Sequence, residues 1–597
     1  MIAYRPLRLA SASHLPLAGE DRKGTSLPGY ALTAYPPLRD PARIAGIPID
    51  AIGGVTGVRA TGVMSTAPTI APPANDTLTA DLIALLGADA VETGIEKRTF
   101  FSTDLSRRGP TVAAVVRPDD ADQVAAAVRL CTSRGVPVIP RGGGFSYTGG
   151  YVPAQADSVI VDLRGLDRIV EINADDMYVV VETGCTWHQL YEALKAKGLR
   201  TPYFGPMSGY RATVGGALSQ GSFFLGSSQY GAVAESVLAI EVALADGTLL
   251  RTGSWGGDAA ASPFFRNYGP DLTGLFLGDT GAFGFKTKAV LKLIPFPAEQ
   301  GYASFAFADE PSAIAAVSAI GRTGLAGECY CWDPYFVKIM ASATTGIAED
   351  LKILAGVARG GGGSKVRGLF NAARLAAAGK SAFDGEIYML NLTVDDPTRA
   401  GADARIALLK QIATEAGGRE MTASAPMAMR GTPFIDFNTP DRRQPMRNLP
   451  THGLVPHSSL PALRREVRAL LDRHRPAMET HGVEVGVIYF AVGIQAVCLE
   501  PLFYWDDHQH FQHDRIAERS DLAALEGHPT TPAATEFVVQ LRKELVAVYA
   551  DFGSAHVQIG KSYPWLATRG APMRTLASAV KAMLDPAGMV NPGSLGL

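Results

Sequence analysis

Cysteine is scarce in this chain of 597 residues: there are five, Cys131, Cys185, Cys329, Cys331 and Cys498. No two of them form a C-x-x-C pair, so a disulfide scaffold, a zinc ribbon and a ferredoxin-type cluster are all excluded. They read as small core hydrophobes of a protein in a reducing compartment. An excess of positive charge is missing too. Lys+Arg number 55 against 58 Asp+Glu, a net charge of −3, which argues against a nucleic-acid binder. Long apolar runs are absent: the best, Val485 to Leu499 (VGVIYFAVGIQAVCL), spans 15 residues and carries Gln495. A membrane helix needs about 20, so this run reads as buried strands. The N-terminal MIAYRPLRLASASHLPLAGE offers no apolar core for a signal peptide, and a cytoplasmic protein is expected. No internal repeat emerges.

What is present is enough apolar material, 47% of residues, to bury a sizeable core, and a length fit for three or four domains at about 150 residues each. Residues 1–75 stand apart. They are rich in Pro, Gly and Ser without periodicity and read as a flexible extension, in which Met64 offers an alternative start. From Asp76 strands and helices alternate. Thr111–Pro118 is a β-branched run, and Asp120–Gly135 a capped helix closed by glycine. Short strands follow at Val136–Pro140, Ser158–Leu163 and Met177–Gly184, then a capped helix at Thr186–Leu199. A hairpin turns at Asp246-Gly247 within Ser236–Gly253, and Lys286–Pro297 closes the unit. Beyond Pro297, strands at Tyr302–Asp309 and Gly385–Asp396 are crossed by helices, which predicts a sheet covered on one face. Helices are expected again at 531–553 and from Leu576.

Three separated glycine loops carry the chemistry. The first, Pro140-Arg-Gly-Gly-Gly-Phe-Ser-Tyr-Thr-Gly-Gly150, follows a short strand. Its main-chain N–H groups can form a nest for phosphate oxygens, with Ser146 and Thr148 adding hydroxyl donors. It is neither a Walker loop, having no Gly-Lys-Ser/Thr, nor a G-x-G-x-x-G turn opening a helix. The second comprises Gly205-Pro206, Thr213-Val-Gly-Gly-Ala-Leu-Ser-Gln-Gly221 and Gln229-Tyr230-Gly231; the third runs from Asp271 to Phe285. Small residues at such places let backbone approach a flat ligand closely.

In this order and spacing, R-G-G-G-x-S, T-V-G-G-x-x-S-Q, G-L-F-x-G-x-x-G-x-x-G-F and a terminal N-P-G resemble the vanillyl-alcohol-oxidase/p-cresol-methylhydroxylase class of FAD-linked oxidoreductases. The branch most similar holds D-lactate and glycolate dehydrogenases. The resemblance runs from about Gly109 to Pro297 and returns at Asp585–Gly596. It implies an α+β protein: a two-subdomain PCMH-type FAD-binding domain (76–297), an α+β cap or substrate domain with an antiparallel sheet (298–550), and a C-terminal segment (551–597) returning to the first. Carried over residue by residue, it places the FAD diphosphate on Pro140, Arg141, Gly142, Gly143, Gly144, Phe145 and Ser146. The flavin ring and ribityl chain fall to Pro206, Thr213, Gly215, Gly216 and Ser219. The other end of the cofactor falls to Val237, Gly281, Gly284 and Phe285, with Asn591 returning to it. Phe145 stands where members with histidine-linked flavin carry His, and residues Met207 to Ala212 hold no cysteine, so non-covalent FAD is expected. Thr280 replaces a carboxylate common in the third loop of the branch.

Above the flavin, oxidation of a hydroxyl group requires a base and a positioned substrate. His556 lies where the related dehydrogenases carry E-H-G-I-G and is the candidate base; Lys561, Arg447 and Arg574 are candidate carboxylate anchors. Glu500 and Tyr504, both even-numbered on an expected strand, are set to face the pocket together. Metal-assisted members use two histidines and a glutamate; Ile494–Tyr504 has no histidine and Ala555 stands where the glutamate would, so no metal is expected. The run Asp506-Asp-His-Gln-His-Phe-Gln-His513 reads as a solvated polar segment. Between Leu351 and Lys380 six basic residues occur without an acidic one, a stretch read as a cap insertion and, alternatively, as a contact for an anionic membrane surface or an electron-transfer partner. The expected activity is oxidation of a 2-hydroxy acid such as D-lactate or glycolate by hydride transfer to flavin N5, in a homo-oligomer. Dioxygen, quinone and cytochrome stay open as acceptors. The alternatives are oxidation of a phenolic or aromatic alcohol, with Tyr489, Tyr504 and Tyr563 rebuilding a phenolate site, and a flavin-binding subunit of a larger electron-transfer complex.

Overall fold

The computed structural model describes residues 76–257, 262–342, 386–434, 446–507 and 531–597. The N-terminal extension, the basic stretch of Leu351–Lys380 and the histidines of the 506–513 run lie outside the described residues. Strand runs rich in Val and Ile build two small sheets in the first half. Strands β1 (Val91–Glu92), β2 (Ala114–Val116), β3 (Val138–Arg141) and β4 (Val159–Asp162) form a four-stranded sheet ordered β1-β2-β4-β3, with β2, β4 and β3 parallel. The helix Ala121–Ser133 links β2 to β3. Asp120 caps it by accepting from the Gln123 N–H at 2.8 Å, and Val124, Ala127, Val128 and Cys131 face the sheet core of Ala114, Val116, Val159 and Val161.

The second sheet is antiparallel. It takes β5 (Ile169–Asn173), β6 (Tyr178–Glu182), β8 (Val237–Ala243), β9 (Leu249–Arg251) and β10 (Phe285–Lys292) in the order β5-β6-β10-β8-β9. The short strands β7 (Leu199–Arg200) and β11 (Ile294–Pro295) pair beside it. The helix Trp187–Lys195 is opened by a reciprocal Thr186/Gln189 capping box and buries Trp187, Leu190 and Leu194. The Asp246-Gly247 turn forms as expected, with Gly247 at φ 83.

The remaining strands are β12 (Glu299–Phe307), β13 (Glu328–Trp332), β14 (Tyr388–Asp396), β15 (Arg419–Met421), β16 (Met446–Pro450), β17 (Gly453–Pro456), β18 (Glu484–Val492) and β19 (Ala496–Asp506). They form an eight-stranded sheet ordered β15-β12-β14-β13-β18-β19-β16, in which β17 also pairs with β19. Its pairings are antiparallel. The 15-residue apolar run is the β18–β19 hairpin. Its alternation sorts Val487, Tyr489, Val497 and Leu499 to a core shared with the helices Glu310–Gly321, Arg399–Glu415, Leu460–His481 and Pro532–Asp551. Ile488, Phe490, Val492 and Cys498 go to the opposite face, against Phe223 and Phe224 from the first half of the chain. One face thus meets helices and the other meets the glycine-loop region. The strand β13 and the helix Leu460–His481 were not expected from the sequence. All five cysteines are buried and free. No helix among the described residues is long and apolar enough to cross a membrane.

Candidate functional site

Four segments meet at one point. A Cβ on Gly150 would stand 2.7 Å from Gln220 Nε2, 2.7 Å from Thr280 Cγ2 and 3.6 Å from Gly560 Cα. So the first, second and third loops and the C-terminal segment converge with room for nothing larger than glycine at their centre. Beside this point opens a cleft lined by all three loops. Of the residues expected to hold cofactor, Pro140, Arg141, Gly142, Thr213, Gly215, Gly216, Ser219 and Gly284 line it.

Main-chain approach explains the glycines. A Cβ on Gly142 would meet Thr213 Oγ1 at 2.3 Å, and one on Gly143 the Arg211 carbonyl oxygen at 2.0 Å. Thr213 accepts from the Gly216 N–H at 3.2 Å and so caps the helix Val214–Gln220. The third loop is held by Asp279, whose Oδ1 accepts from the Gly281 N–H at 3.0 Å and from Lys286 Nζ at 2.6 Å, an ion pair buried on both sides. Asn591, at φ 43, donates from Nδ2 to the carbonyls of Gly150 (2.8 Å) and Thr280 (2.7 Å), tying the first and third loops together.

Several expected cofactor residues lie off the cleft. Val237 and Phe285 are fully buried strand residues, each packed in a hydrophobic core of this half. Gly281 packs its Cα side on Pro140, and Ser146 spends its hydroxyl on Thr148 Oγ1 at 3.0 Å. Gly143, Gly144, Phe145, Pro206 and Asn591 are likewise not among the lining residues. Sequence reasoning missed Tyr151, Leu163, Thr183, Gln220 and Lys286, which do line it. Only Gln220, at the end of the T-V-G-G-x-x-S-Q motif, had a signal to find it by. The cleft suits a large flat nucleotide: Gly142, Gly150, Gly215, Gly216 and Gly284 line it, and the buried Oε1 of its lining residue Gln220 has no hydrogen-bond partner among the described residues.

Next to the convergence point lies a buried cluster that the sequence half disclosed. His556 donates from Nδ1 to the His452 carbonyl at 2.8 Å and stacks on Tyr563 with ring centroids 4.2 Å apart. His452, unnoticed in the sequence, donates from Nε2 to the Val557 carbonyl at 2.6 Å. Its Nδ1 stands 3.7 Å from Glu500 Oε1. Burial pushes His556 down to about 4 and His452 to about 3, with the neighbouring imidazole and Arg542 adding to the effect on His452. Burial pushes Glu500 up to about 7.

The other expected residues are placed elsewhere. Tyr504 shares the Glu500 face of β19, but four residues on, about 13 Å along the strand, where its ring meets Tyr335. Lys561 donates from Nζ to the Val152 carbonyl at 2.6 Å, and burial together with Arg107 lowers it to about 8, so it ties the C-terminal segment to the first loop. Arg447 is paired with Asp507 at 2.9 Å, and Arg574 is exposed on the helix Ala571–Leu584. None of these three basic residues stands free over the cleft as a carboxylate anchor. Among the described residues no group of three or more His, Cys, Asp or Glu is placed to hold a metal ion.

Comparison with known proteins agrees with this geometry. A family model described as an FAD binding domain matches residues 112–253. The chain is similar to the glycolate oxidase subunit GlcD of Bacillus subtilis, 30% identical over 217 residues, which cover 36% of this chain and 44% of that protein. It is also similar to the mitochondrial D-lactate dehydrogenase [cytochrome] of Kluyveromyces lactis, 29% identical over 219 residues (34% and 36% of the two chains). The matched stretch thus spans less than half the length of these relatives. The fold is that of p-cresol methylhydroxylase, whose substrate-bound structure superposes with a TM-score of 0.65 at 19% identity, over 87% of this chain and 96% of that one.

Proposed function

We propose that this chain, which matches an FAD binding domain over residues 112–253 and has the fold of p-cresol methylhydroxylase, oxidises a hydroxyl-bearing small molecule, a 2-hydroxy acid of the D-lactate or glycolate kind. The observation that carries the reading is the state of His556. Its Nδ1–H is spent on a carbonyl and its pKa lies near 4, so at neutral pH the ring is uncharged with a lone pair on Nε2. Such an atom can take the substrate hydroxyl proton as the C–H electrons leave. FAD, when bound in the cleft, supplies the two-electron acceptor. Glu500, poised near pH 7 beside His452, is a second group able to hold a proton in this chamber. Asn591 Nδ2 ties the first and third loops together, and Thr280 Oγ1 accepts from the Gly560 N–H at 3.2 Å, so these side chains shape the cleft. The choice of a 2-hydroxy acid is supported by the two relatives, a glycolate oxidase subunit and a D-lactate dehydrogenase.

One feature favours a second substrate class. Phe223 stands 6.5 Å (ring centroids) from His452, and Phe224, Tyr330 and Phe490 continue an aromatic wall behind it. An aromatic alcohol would find apolar surface there. Anaerobic mixing of the yellow protein with D-lactate, glycolate and vanillyl alcohol in parallel separates the two: bleaching by a 2-hydroxy acid is expected, and bleaching by the aromatic alcohol alone would replace the first reading with the second. His556→Ala is expected to keep bound FAD and lose about 10²–10⁴-fold in kcat; unchanged turnover would remove His556 from the chemistry.

A further inference from the structure

His452 sits in the bend between β16 and β17, in Pro450-Thr-His-Gly453, outside every motif of the family resemblance. Yet this one residue makes four contacts to the 556–563 segment. Its carbonyl accepts from His556 Nδ1 (2.8 Å), its main-chain N–H donates to the Tyr563 hydroxyl (3.0 Å), its Nε2 lies 2.6 Å from the Val557 carbonyl, and its Nδ1 lies 3.4 Å from the Tyr563 hydroxyl. The main chains of Leu454 and Ala555 pair reciprocally next door, at 2.8 and 2.9 Å.

The chemistry of these partners decides the tautomers. A carbonyl oxygen only accepts, so the ring nitrogen facing it must carry the proton in both histidines. A neutral imidazole has one N–H. His452 is therefore the Nε2–H form, with a lone pair at Nδ1 toward Tyr563 and Glu500, and His556 is the Nδ1–H form, with its lone pair at Nε2. The His452 side chain is buried, so its bond to Val557 has no water to replace it.

We propose that His452 is a positioning residue: its Nε2–H bond to the Val557 carbonyl holds its own carbonyl against His556 Nδ1 and so fixes which nitrogen of His556 is free. The inference deepens the reading of His556 as base and rests on it for its catalytic meaning, but not for its geometry. The groups facing the pair are Glu500, Tyr549 and Tyr563, with the charges of Arg542 and Arg569 acting on the imidazoles. With no cation partner exchanged on substitution of His452, the expected changes come from the lost hydrogen bond alone.

The test uses the FAD-loaded full chain labelled with ¹⁵N-histidine, read by long-range nitrogen–proton correlation and by the pH profile of kcat. His452→Gln places an amide N–H where Nε2–H was, and is expected to retain the Nδ1–H form of His556 and the wild-type pH profile. His452→Phe and His452→Asn, the latter too short to reach Val557, are expected to give His556 as a mixture of tautomers and to move the acid limb of kcat to lower pH, because the bond to the His452 carbonyl favours the protonated ring. An unaltered Nδ1–H signal for His556 in His452→Asn would overturn the proposal, as would Gln and Asn variants that behave alike. Should the Phe variant not fold, the Gln–Asn comparison still decides. Retention of full turnover by His556→Ala would sink the base reading while leaving the tautomer result standing, so the two failures are distinguishable.

Discussion

Asn591 holds a left-handed backbone, φ 43, with one amide group spanning two loops. Asparagine tolerates that conformation better than most residues, and its Nδ2 satisfies the Gly150 and Thr280 carbonyls where water has no access. Asn591→Ala leaves both carbonyls unpaired and is expected to cost about 2–4 kcal/mol of stability at roughly 1–2 kcal/mol per orphaned group. Urea unfolding of the FAD-free protein measures this, and FAD titration should show weakened binding as well. Glu500 yields a prediction of the opposite sign. Its carboxyl titrates near 7 in the folded protein against about 4.5 in an unfolded chain, so between these values the folded state holds the extra proton. Its contribution to stability therefore falls as pH rises from about 4.5 to 7, and the penalty stays in full above 7. Glu500→Gln is expected to gain on the order of 1–3 kcal/mol over the wild type at pH 8 and little at pH 4. Equal urea midpoints for the two proteins at pH 8 would contradict the burial argument.

Among elements, the contact between the two halves of the chain is polar as well as aromatic. Arg430, on the helix Ser424–Gly431, joins Glu328 of β13 (2.7 Å) to Asp395 of β14 (2.8 Å). Asp395 also accepts from Arg200 of β7 at 2.8 Å, and Glu328 from the Gly226 N–H at 2.9 Å. Two arginines and two carboxylates, all buried, thus span strands of both halves. Such a network gains little over apolar packing when whole, but loses heavily when one charge is removed. Arg430→Met strands Glu328 without its cation and is expected to cost about 3–5 kcal/mol in urea unfolding; a loss below about 1 kcal/mol would mean that Arg200 compensates alone. The elements themselves were largely legible. Asp120 and Thr186 cap the helices their sequence marks, and the 15-residue apolar run folds as two strands because its β-branched and aromatic residues can serve two buried faces at once. The helix Leu460–His481 was passed over, although its buried positions Leu460, Leu463, Val467, Leu470 and Leu471 keep a helical spacing. The strand β13, Glu-Cys-Tyr-Cys-Trp, hides its alternation because both of its faces are buried.

In the molecule as a whole, the glycine-lined cleft was written in local sequence and the buried histidine cluster beside it was not. Glycine loops announce themselves because each answers a local demand: a Cβ at Gly142, Gly143 or Gly150 would stand only 2.0–2.7 Å from a neighbouring atom, so the residue type there follows from geometry alone. That made the glycine-lined cleft, its order along the chain and the expectation of an FAD-binding domain readable from residues 140–285. The assignment of single residues was coarser. Phe285 ends the third motif and Val237 opens the Ser236–Gly253 hairpin, but both point into cores, since the face of a strand residue depends on the register with its neighbours. The cluster depends on contacts between residues far apart in the chain. His452 and His556 meet at a separation of 104, and neither ring's protonation can be read from its flanking residues, because burial and a distant carbonyl set it. By itself the sequence determined the glycine loops, the element types and hence the cofactor. Only the tertiary structure decided which imidazole nitrogen is free, which lysines and arginines are already spent, and which carboxyl titrates near neutrality, for these are properties of long-range packing and of the exclusion of water.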